Sequence, residues 1–186
     1  QKAEGHPFFT EELAHALRDR GLVRVEQGVC CFTGAGAQGE STLLPNTVQV
    51  MVSSRIDQLP IPRQLTIKIA SIFGQPFDLA TLWAIHPAAR DDDTLLGECQ
   101  ALADTNLLRN VAAAPPTYAF KHALIQEVAY ELLPFAQRRQ LHARIAAWYE
   151  QNGVPAGGAS VLAYHWSRAE VAERALFYLD KEIGRA

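Results

Sequence analysis

The sequence predicts a mainly α-helical protein with two short β-hairpins, and three observations support this prediction. Apolar residues recur at three- and four-residue spacing along most of the chain, which is typical of helices with one buried face. Two pairs of short strand-like segments are each joined by turn residues, Glu26-Gln27-Gly28 in one pair and 112–116 in the other. Helix-start and helix-stop residues bracket the helical segments.

Residues 1–45 predict one helix, one hairpin and a loop. Pro7 is suited to the first turn of a helix that ends before Gly21. Segments 22–25 and 29–33 have the composition of paired strands. The loop that follows is rich in Gly and Ser. Its Gly34-x-Gly36-x-x-Gly39 spacing lacks the helix that a dinucleotide site requires, because Pro45 comes within six residues.

Residues 46–120 predict a winged-helix domain. Helices are expected where Thr, Pro or Asp precedes an apolar repeat, at 47–59, 62–73, 78–86 and from residue 91 onward. Two short strands are expected next, at 107–111 and 117–120. The last three of these helices, followed by a two-stranded wing, give the outline of this domain type.

Residues 121–186 predict helices only. A strand turns directly into an amphipathic helix within 120–133, and a second connecting helix follows Pro134 and ends near residue 151. Beyond the linker at 152–158, two more helices are expected, at 160–168 and 172–185. Their pattern of small and aromatic residues favours a helical hairpin, which is the first unit of a repeat array in one interpretation.

The net charge, the N-terminal sequence, the cysteines and the residue spacing together narrow the classes of function that the sequence allows. The formal net charge of −3 gives no general attraction to nucleic acid or to anionic membranes. The chain opens without Met and without a secretory signal, so we expect an excised piece of a longer cytoplasmic protein. An odd set of cysteines, with Cys30 beside Cys31 and Cys99 alone, favours reduced thiols. The histidine spacing predicts no metal site, and no residue pattern predicts hydrolytic catalysis.

Charge patterning argues against DNA binding through the predicted wing domain. Between Asp91 and Leu108 the chain carries five acidic residues and neither Lys nor Arg, and the DNA backbone repels such a helix. Basic residues gather instead at Lys121, Arg138, Arg139 and Arg144. They form either a solvated face or a docking patch for an acidic domain or nucleotide phosphates.

His122 is the residue with the best physical basis for sensing a bound nucleotide. It lies at the predicted start of the 120–133 helix, where unpaired backbone N–H groups and a partial positive charge suit a phosphate. An imidazole at that point adds a further hydrogen-bond donor. The alternative is a histidine that only packs beside the helix start.

Four motifs follow one another along the chain, EGHPFFTEEL (4–13), LPNTVQVMVSSRIDQLP (44–60), SIFGQPFDL (71–79) and FKHALIQEVAYELL (120–133). Together they resemble signal-transduction ATPases of the STAND type that are fused to class III adenylate/guanylate cyclases. The resemblance implies a segment that runs from the helical lid of the ATPase through a winged helix into a tetratricopeptide-like region. The phosphate-binding loop and any cyclase domain are then expected upstream.

The resemblance also implies roles for individual residues. Gly5, His6 and Pro7 match the element that lines the adenine pocket, although relatives commonly carry Asn at the position of His6. His122 resembles the histidine that contacts the β-phosphate of ADP, although better-known relatives place Asp where this chain has Ala123. ATP or ADP is thus the expected cofactor of the full-length protein, and none is expected for the segment alone.

The resulting expectation is a non-catalytic regulatory segment that couples the ADP or ATP state to domain arrangement. Its expected partners are the upstream nucleotide-binding domain of the same chain and proteins bound by the C-terminal helices. We expect no DNA binding through the winged helix and no membrane binding. Two alternatives stay open. One is an interior segment of a large ATP-dependent transcriptional regulator, and the other is an interaction scaffold with a degenerate ATPase.

Overall fold

A computed structural model describes residues 14, 18, 23–26, 29–32, 48–74, 76–88, 91–154 and 158–183. The chain divides into two compact units, residues 1–59 and residues 60–186. The described residues are mainly helical, with short antiparallel strands, which confirms the predicted fold class. The boundary between the two units follows Leu59, whereas the predicted winged-helix domain begins at residue 46.

In the first unit, the described residues include an antiparallel hairpin and the helix that follows it. Glu26 pairs with Val29 in the hairpin register. Met51, Val52 and Ile56 are buried on the helix, and their spacing repeats every turn, as the apolar pattern predicted. The elements are β1 (Val23–Glu26), β2 (Val29–Phe32) and α1 (Val48–Asp57).

The second unit begins with three helices and a small sheet. Its strands are antiparallel in the order β3-β5-β4, with Phe77 of β3 opposite Tyr118 of β5. The elements are α2 (Ile61–Ala70), a 3₁₀ turn (Ser71–Phe73), β3 (Phe77–Asp78), α3 (Leu79–Ile85), α4 (Asp92–Asp104), β4 (Leu108–Ala113) and β5 (Pro116–Phe120). Three helices followed by a two-stranded hairpin were predicted, and β3 was not.

Among the described residues, four helices complete the second unit. All four were predicted, with bounds that agree to within a few residues. They are α5 (Ala123–Glu131), α6 (Phe135–Asn152), α7 (Ala159–Arg168) and α8 (Ala172–Ile183). Within the described part of the chain, no helix is long and apolar enough to cross a membrane.

Aspartate side chains start two of the helices. Asp78 accepts a hydrogen bond from the backbone N–H of Thr81 at 2.7 Å, and Asp91 accepts one from the N–H of Thr94 at 2.6 Å. Both contacts satisfy amide groups that the first helical turn leaves unpaired. Gly74 ends the preceding 3₁₀ turn with φ at +68°, a conformation that glycine adopts without strain.

Stacked aromatic rings join the sheet to the helices of the second unit. The ring centroids of Phe73 and Phe77 lie 5.3 Å apart, and those of Phe77 and Tyr118 lie 6.4 Å apart. All three side chains are buried. The Tyr118 hydroxyl is also buried, and the described residues offer it no hydrogen-bond partner. This stack explains why the two-residue strand β3 forms, since it delivers Phe77 to the core.

Candidate functional site

His122 lies at the junction between the sheet and helix α5. Strand β5 ends at Phe120, and His122 is the residue immediately before the first helical residue, with extended backbone angles of −137° and 144°. The buried side chains of Ile125 and Val128 anchor the helix. Gln126 adds a polar tie by donating a hydrogen bond from Nε2 to the Ser71 carbonyl at 3.0 Å. The predicted strand-to-helix junction is therefore present.

The His122 ring is only partly accessible. The residue as a whole is half-buried, its Nε2 atom is enclosed, and the side chain does not cap α5. The neighbouring Lys121 donates from Nζ to Asn106 Oδ1 at 3.2 Å, which ties this lysine to the turn before β4. Contact between His122 Nε2 and a phosphate therefore requires the ring to rotate or the junction to open.

The other three predicted nucleotide-binding residues, Gly5, His6 and Pro7, lie outside the described residues. The same holds for the Gly34–Gly39 segment.

A second polar cluster joins α2, the end of α3 and α4 in the second unit, and it was not predicted. The backbone N–H of Ala88 donates to His86 Nδ1 at 3.3 Å, which leaves the ring proton on Nε2. That Nε2 lies 3.1 Å from Thr66 Oγ1, and the Thr66 hydroxyl in turn donates to the Glu98 carboxylate. Burial lowers the pKa of His86, Glu98 opposes this change, and Arg144 adds to it.

The direction of these hydrogen bonds decides what the cluster can do. A nucleophilic hydroxyl must donate its proton to a general base. Here the imidazole donates to Thr66, while the threonine proton points at a carboxylate. Thr66 is also fully buried. The cluster therefore holds α2, α4 and the end of α3 together and does not resemble an activated nucleophile.

A chain of hydrogen-bonded rings connects the last helices. Tyr130 Oη lies 3.2 Å from His142 Nε2, and His142 Nδ1 lies 2.9 Å from His165 Nδ1. Both histidines are buried, with exposed fractions of 0% and 1%. Burial lowers the pKa of His142 to about 3, with His165, Arg168 and Arg138 adding to the effect, and burial lowers the pKa of His165 to about 4.

Glu150 joins the three C-terminal helices. Its Oε1 accepts hydrogen bonds from Trp166 Nε1 at 2.9 Å and from the Tyr178 hydroxyl at 3.0 Å. Its Oε2 pairs with Arg174 Nη1 at 2.7 Å, and the Arg174 guanidinium also lies 4.6 Å from the centroid of the Trp166 ring. One carboxylate thus holds α7 and α8 against α6.

The other candidates for chemistry are the cysteine Cys99, possible metal ligands, and the charged residues of α4 and the β4–β5 hairpin. Cys99 is fully buried, and burial raises the pKa of its thiol to about 12, so it is a poor nucleophile. Within the described ranges, no group of three or more His, Cys, Asp or Glu side chains is arranged to hold a metal ion. Helix α4 carries four of the five predicted acidic residues and has the fifth, Asp91, immediately before it, while the β4–β5 hairpin adds the exposed cation Arg109.

The predicted basic cluster does not act as one group. Lys121 binds Asn106, whereas Arg138 donates from Nε to the Leu133 carbonyl at 2.8 Å. Arg139 forms an ion pair with Glu170 at 3.1 Å. Each of these cations therefore has its own contact.

Comparison with known proteins gives two matches. Residues 1–31 match a family described as a domain of unknown function, DUF8739. The chain is also similar to an uncharacterized protein, R02095, of Rhizobium meliloti (strain 1021), with 31% identity over 175 residues. That alignment covers 92% of this chain and 16% of the relative, so the chain spans a small part of the relative's length. No solved structure matches.

Proposed function

We propose that this chain is a non-catalytic regulatory segment of a nucleotide-dependent signalling ATPase of the cyclase-linked kind, in the cytoplasm. It would couple the ADP or ATP state of an upstream domain to the arrangement of the domains around it. The observation that carries the proposal is the direct junction of β5 and α5, with His122 at the helix start.

The order of elements supports a winged-helix assignment within this proposal. A helix, a short strand, two helices and two strands follow one another from α2 to β5, and the sheet order is β3-β5-β4. The helical pair α7–α8 then follows in the position where the resemblance expects a repeat region. A regulatory role also agrees with the wing-domain cluster, in which Thr66 donates its proton away from the imidazole of His86.

The mechanism is a nucleotide-dependent clamp. In this proposal, His122 would hold the β-phosphate of ADP bound in the upstream site, and Gly5, His6 and Pro7 would line the adenine pocket, as the resemblance implies. Because the Nε2 atom is enclosed, the ring would have to rotate outward to make the contact. Exchange of ADP for ATP would break the contact and release the segment. A clamp of this kind switches domain arrangement only if it binds one nucleotide state more tightly than the other.

Hydrogen exchange tests the clamp on a chain that joins this segment to the proposed upstream nucleotide-binding domain. We expect the amides of residues 122–126 to exchange more slowly with ADP than with ATP, because the clamp closes over the start of α5. Amides at the centre of α4 serve as the internal control and exchange equally in both states. Identical exchange at 122–126 in the two nucleotide states would eliminate the clamp.

An interaction scaffold is the second candidate, and the outer face of α8 favours it. Leu176, Leu179 and Ile183 follow helical spacing and are 59%, 45% and 74% exposed. Exposed apolar side chains in a row are typical of a surface that another protein covers. Protein binding through α8 that is independent of ADP, ATP and His122 would favour the scaffold over the clamp.

A further inference from the structure

Two arginines that form no ion pair with any described residue lie at the same end of the α6–α7 helix pair. The ion pair between Arg139 and Glu170 shows that the start of α6 is adjacent to the end of α7. Arg138 directly precedes Arg139, and Arg168 lies two residues before Glu170. Both guanidinium groups therefore belong to this end of the helix pair.

Each of these arginines lies over a tyrosine ring. The Arg138 Cζ atom is 4.8 Å from the centroid of Tyr130, and the Arg168 Cζ atom is 5.5 Å from the centroid of Tyr164. Both tyrosine rings meet the buried His142 ring edge-on, at centroid distances of 5.9 Å and 5.7 Å. We name Tyr130, Arg138, Tyr164 and Arg168 the Arg–Tyr surface.

The positive charge of this surface is not neutralised within the described helices. The ion pairs seen on α6, α7 and α8 use Arg139 and Arg174, and neither Arg138 nor Arg168 takes part in one. Arg138 uses Nε on the Leu133 carbonyl, which leaves its two terminal nitrogens for another acceptor. Stacking on a ring leaves the edge of a guanidinium open to a carboxylate.

Exposed aromatic groups accompany the two cations. Tyr164 is 41% exposed, and Phe135, at the start of α6, is 60% exposed. Arg, Tyr and Phe are enriched at the centres of protein interfaces, where an aromatic ring supplies contact area and arginine supplies directed hydrogen bonds. A free phosphate would use the cations alone, so the aromatic groups favour a peptide.

We propose that the Arg–Tyr surface binds an acidic peptide segment of a partner protein, with its carboxylates on Arg138 and Arg168 and its apolar side chains on Tyr164 and Phe135. This inference is independent of the nucleotide clamp, because none of its residues belongs to that mechanism.

Isothermal titration of the 186-residue chain with a synthetic peptide of repeated Glu-Glu-Leu triplets tests the inference at low salt. We expect the wild-type chain to bind this peptide but not a Lys-Lys-Leu peptide. We expect Arg168→Gln to weaken binding about tenfold, since a charge-assisted contact is lost. The matched control is Arg109→Gln, which removes the same charge from the exposed side of β4 and leaves affinity unchanged.

Arg168→Lys separates geometry from charge. It keeps the positive charge but removes the planar fork, so affinity is expected between those of the wild type and Arg168→Gln. Three results would overturn the inference. In the first, the wild type does not bind the Glu-Glu-Leu peptide. In the second, Arg168→Gln and Arg109→Gln weaken peptide binding equally. In the third, the chain binds inorganic phosphate in a way that depends on Arg168 but does not bind the peptide.

Discussion

The Nδ1 atoms of His142 and His165 lie 2.9 Å apart and join helix α6 to helix α7 inside the second unit. Such a contact needs one nitrogen with a proton and one without, so two neutral rings satisfy it and two imidazolium rings cannot. The Tyr130 hydroxyl, 3.2 Å from His142 Nε2, extends the chain to α5. The neutral pair is therefore part of what holds the C-terminal helices together.

Acid is predicted to destabilise this contact. Burial holds the pKa of His142 at about 3 and that of His165 at about 4 in the folded protein, below the usual value of about 6.5 that the unfolded chain has. The unfolded state therefore binds more protons, and stability falls as the pH drops below about 6.5 toward 4. Each histidine is expected to cost about 1.4 kcal/mol per pH unit in this window.

Urea unfolding at several pH values between 7 and 4 measures this dependence. His165→Gln keeps a polar side chain of similar reach but does not titrate, so its free energy of unfolding should fall less steeply with acid than that of the wild type. Carboxylates contribute equally to both proteins and cancel in the comparison. Equal slopes in the two proteins would show that the pair does not control acid stability.

Glu150 is predicted to be the strongest polar tie of the C-terminal hairpin. Glu150→Ala removes the acceptor of Trp166, Arg174 and Tyr178 together, and the Glu150 side chain is 23% exposed. We expect a loss of about 2 kcal/mol in the free energy of unfolding, with α8 amides exchanging faster.

The matched control for Glu150 is a surface ion pair on the same helices. Arg139→Ala breaks the contact with Glu170, in which the two side chains are 46% and 51% exposed. Such an exposed pair is expected to contribute less than about 1 kcal/mol. Chemical denaturation of both variants makes the comparison, and similar losses would contradict the role assigned to Glu150.

Tyr118→Phe is predicted to be neutral or stabilising, which is unusual for a fully buried residue. The substitution keeps the ring that stacks on Phe77 and removes a hydroxyl that has no partner among the described residues. An unsatisfied buried hydroxyl costs free energy, so its removal should change the free energy of unfolding by between about zero and +1 kcal/mol.

Phe77→Ala provides the contrast for Tyr118→Phe. It removes the central ring of the stack and should cost about 3–5 kcal/mol. Thermal unfolding measures both variants. A loss of more than about 1 kcal/mol in Tyr118→Phe would indicate that the hydroxyl makes a stabilising contact.

Helix positions were predictable from sequence because local signals determine them. Asp78 and Asp91 precede apolar repeats, and each accepts the predicted kind of N-terminal hydrogen bond. Strand β3 was missed because two residues carry no alternation. It exists because Phe77 stacks on Phe73 and pairs with Tyr118, which is far away in the sequence.

The polar contacts between helices were not predicted, although one signal pointed to them. His142 lies on the same helical face as Ile145 and Tyr149, and His165 shares a face with Leu162 and Trp166. A histidine on an apolar face must find a polar partner when it is buried. The identity of that partner could not be read from the chain, because His142 and His165 are 23 residues apart.

The most direct test of the nucleotide clamp is the ADP dissociation constant of a chain that joins this segment to the proposed upstream domain. Isothermal titration of the wild type and of His122→Ala, with Arg109→Gln as a surface control, makes the measurement. We predict that His122→Ala weakens ADP binding about tenfold, the loss of one hydrogen bond to a charged group, and leaves ATP binding nearly unchanged. Equal ADP affinity in the wild type and His122→Ala, with an unchanged rate of ATP hydrolysis, would contradict the clamp.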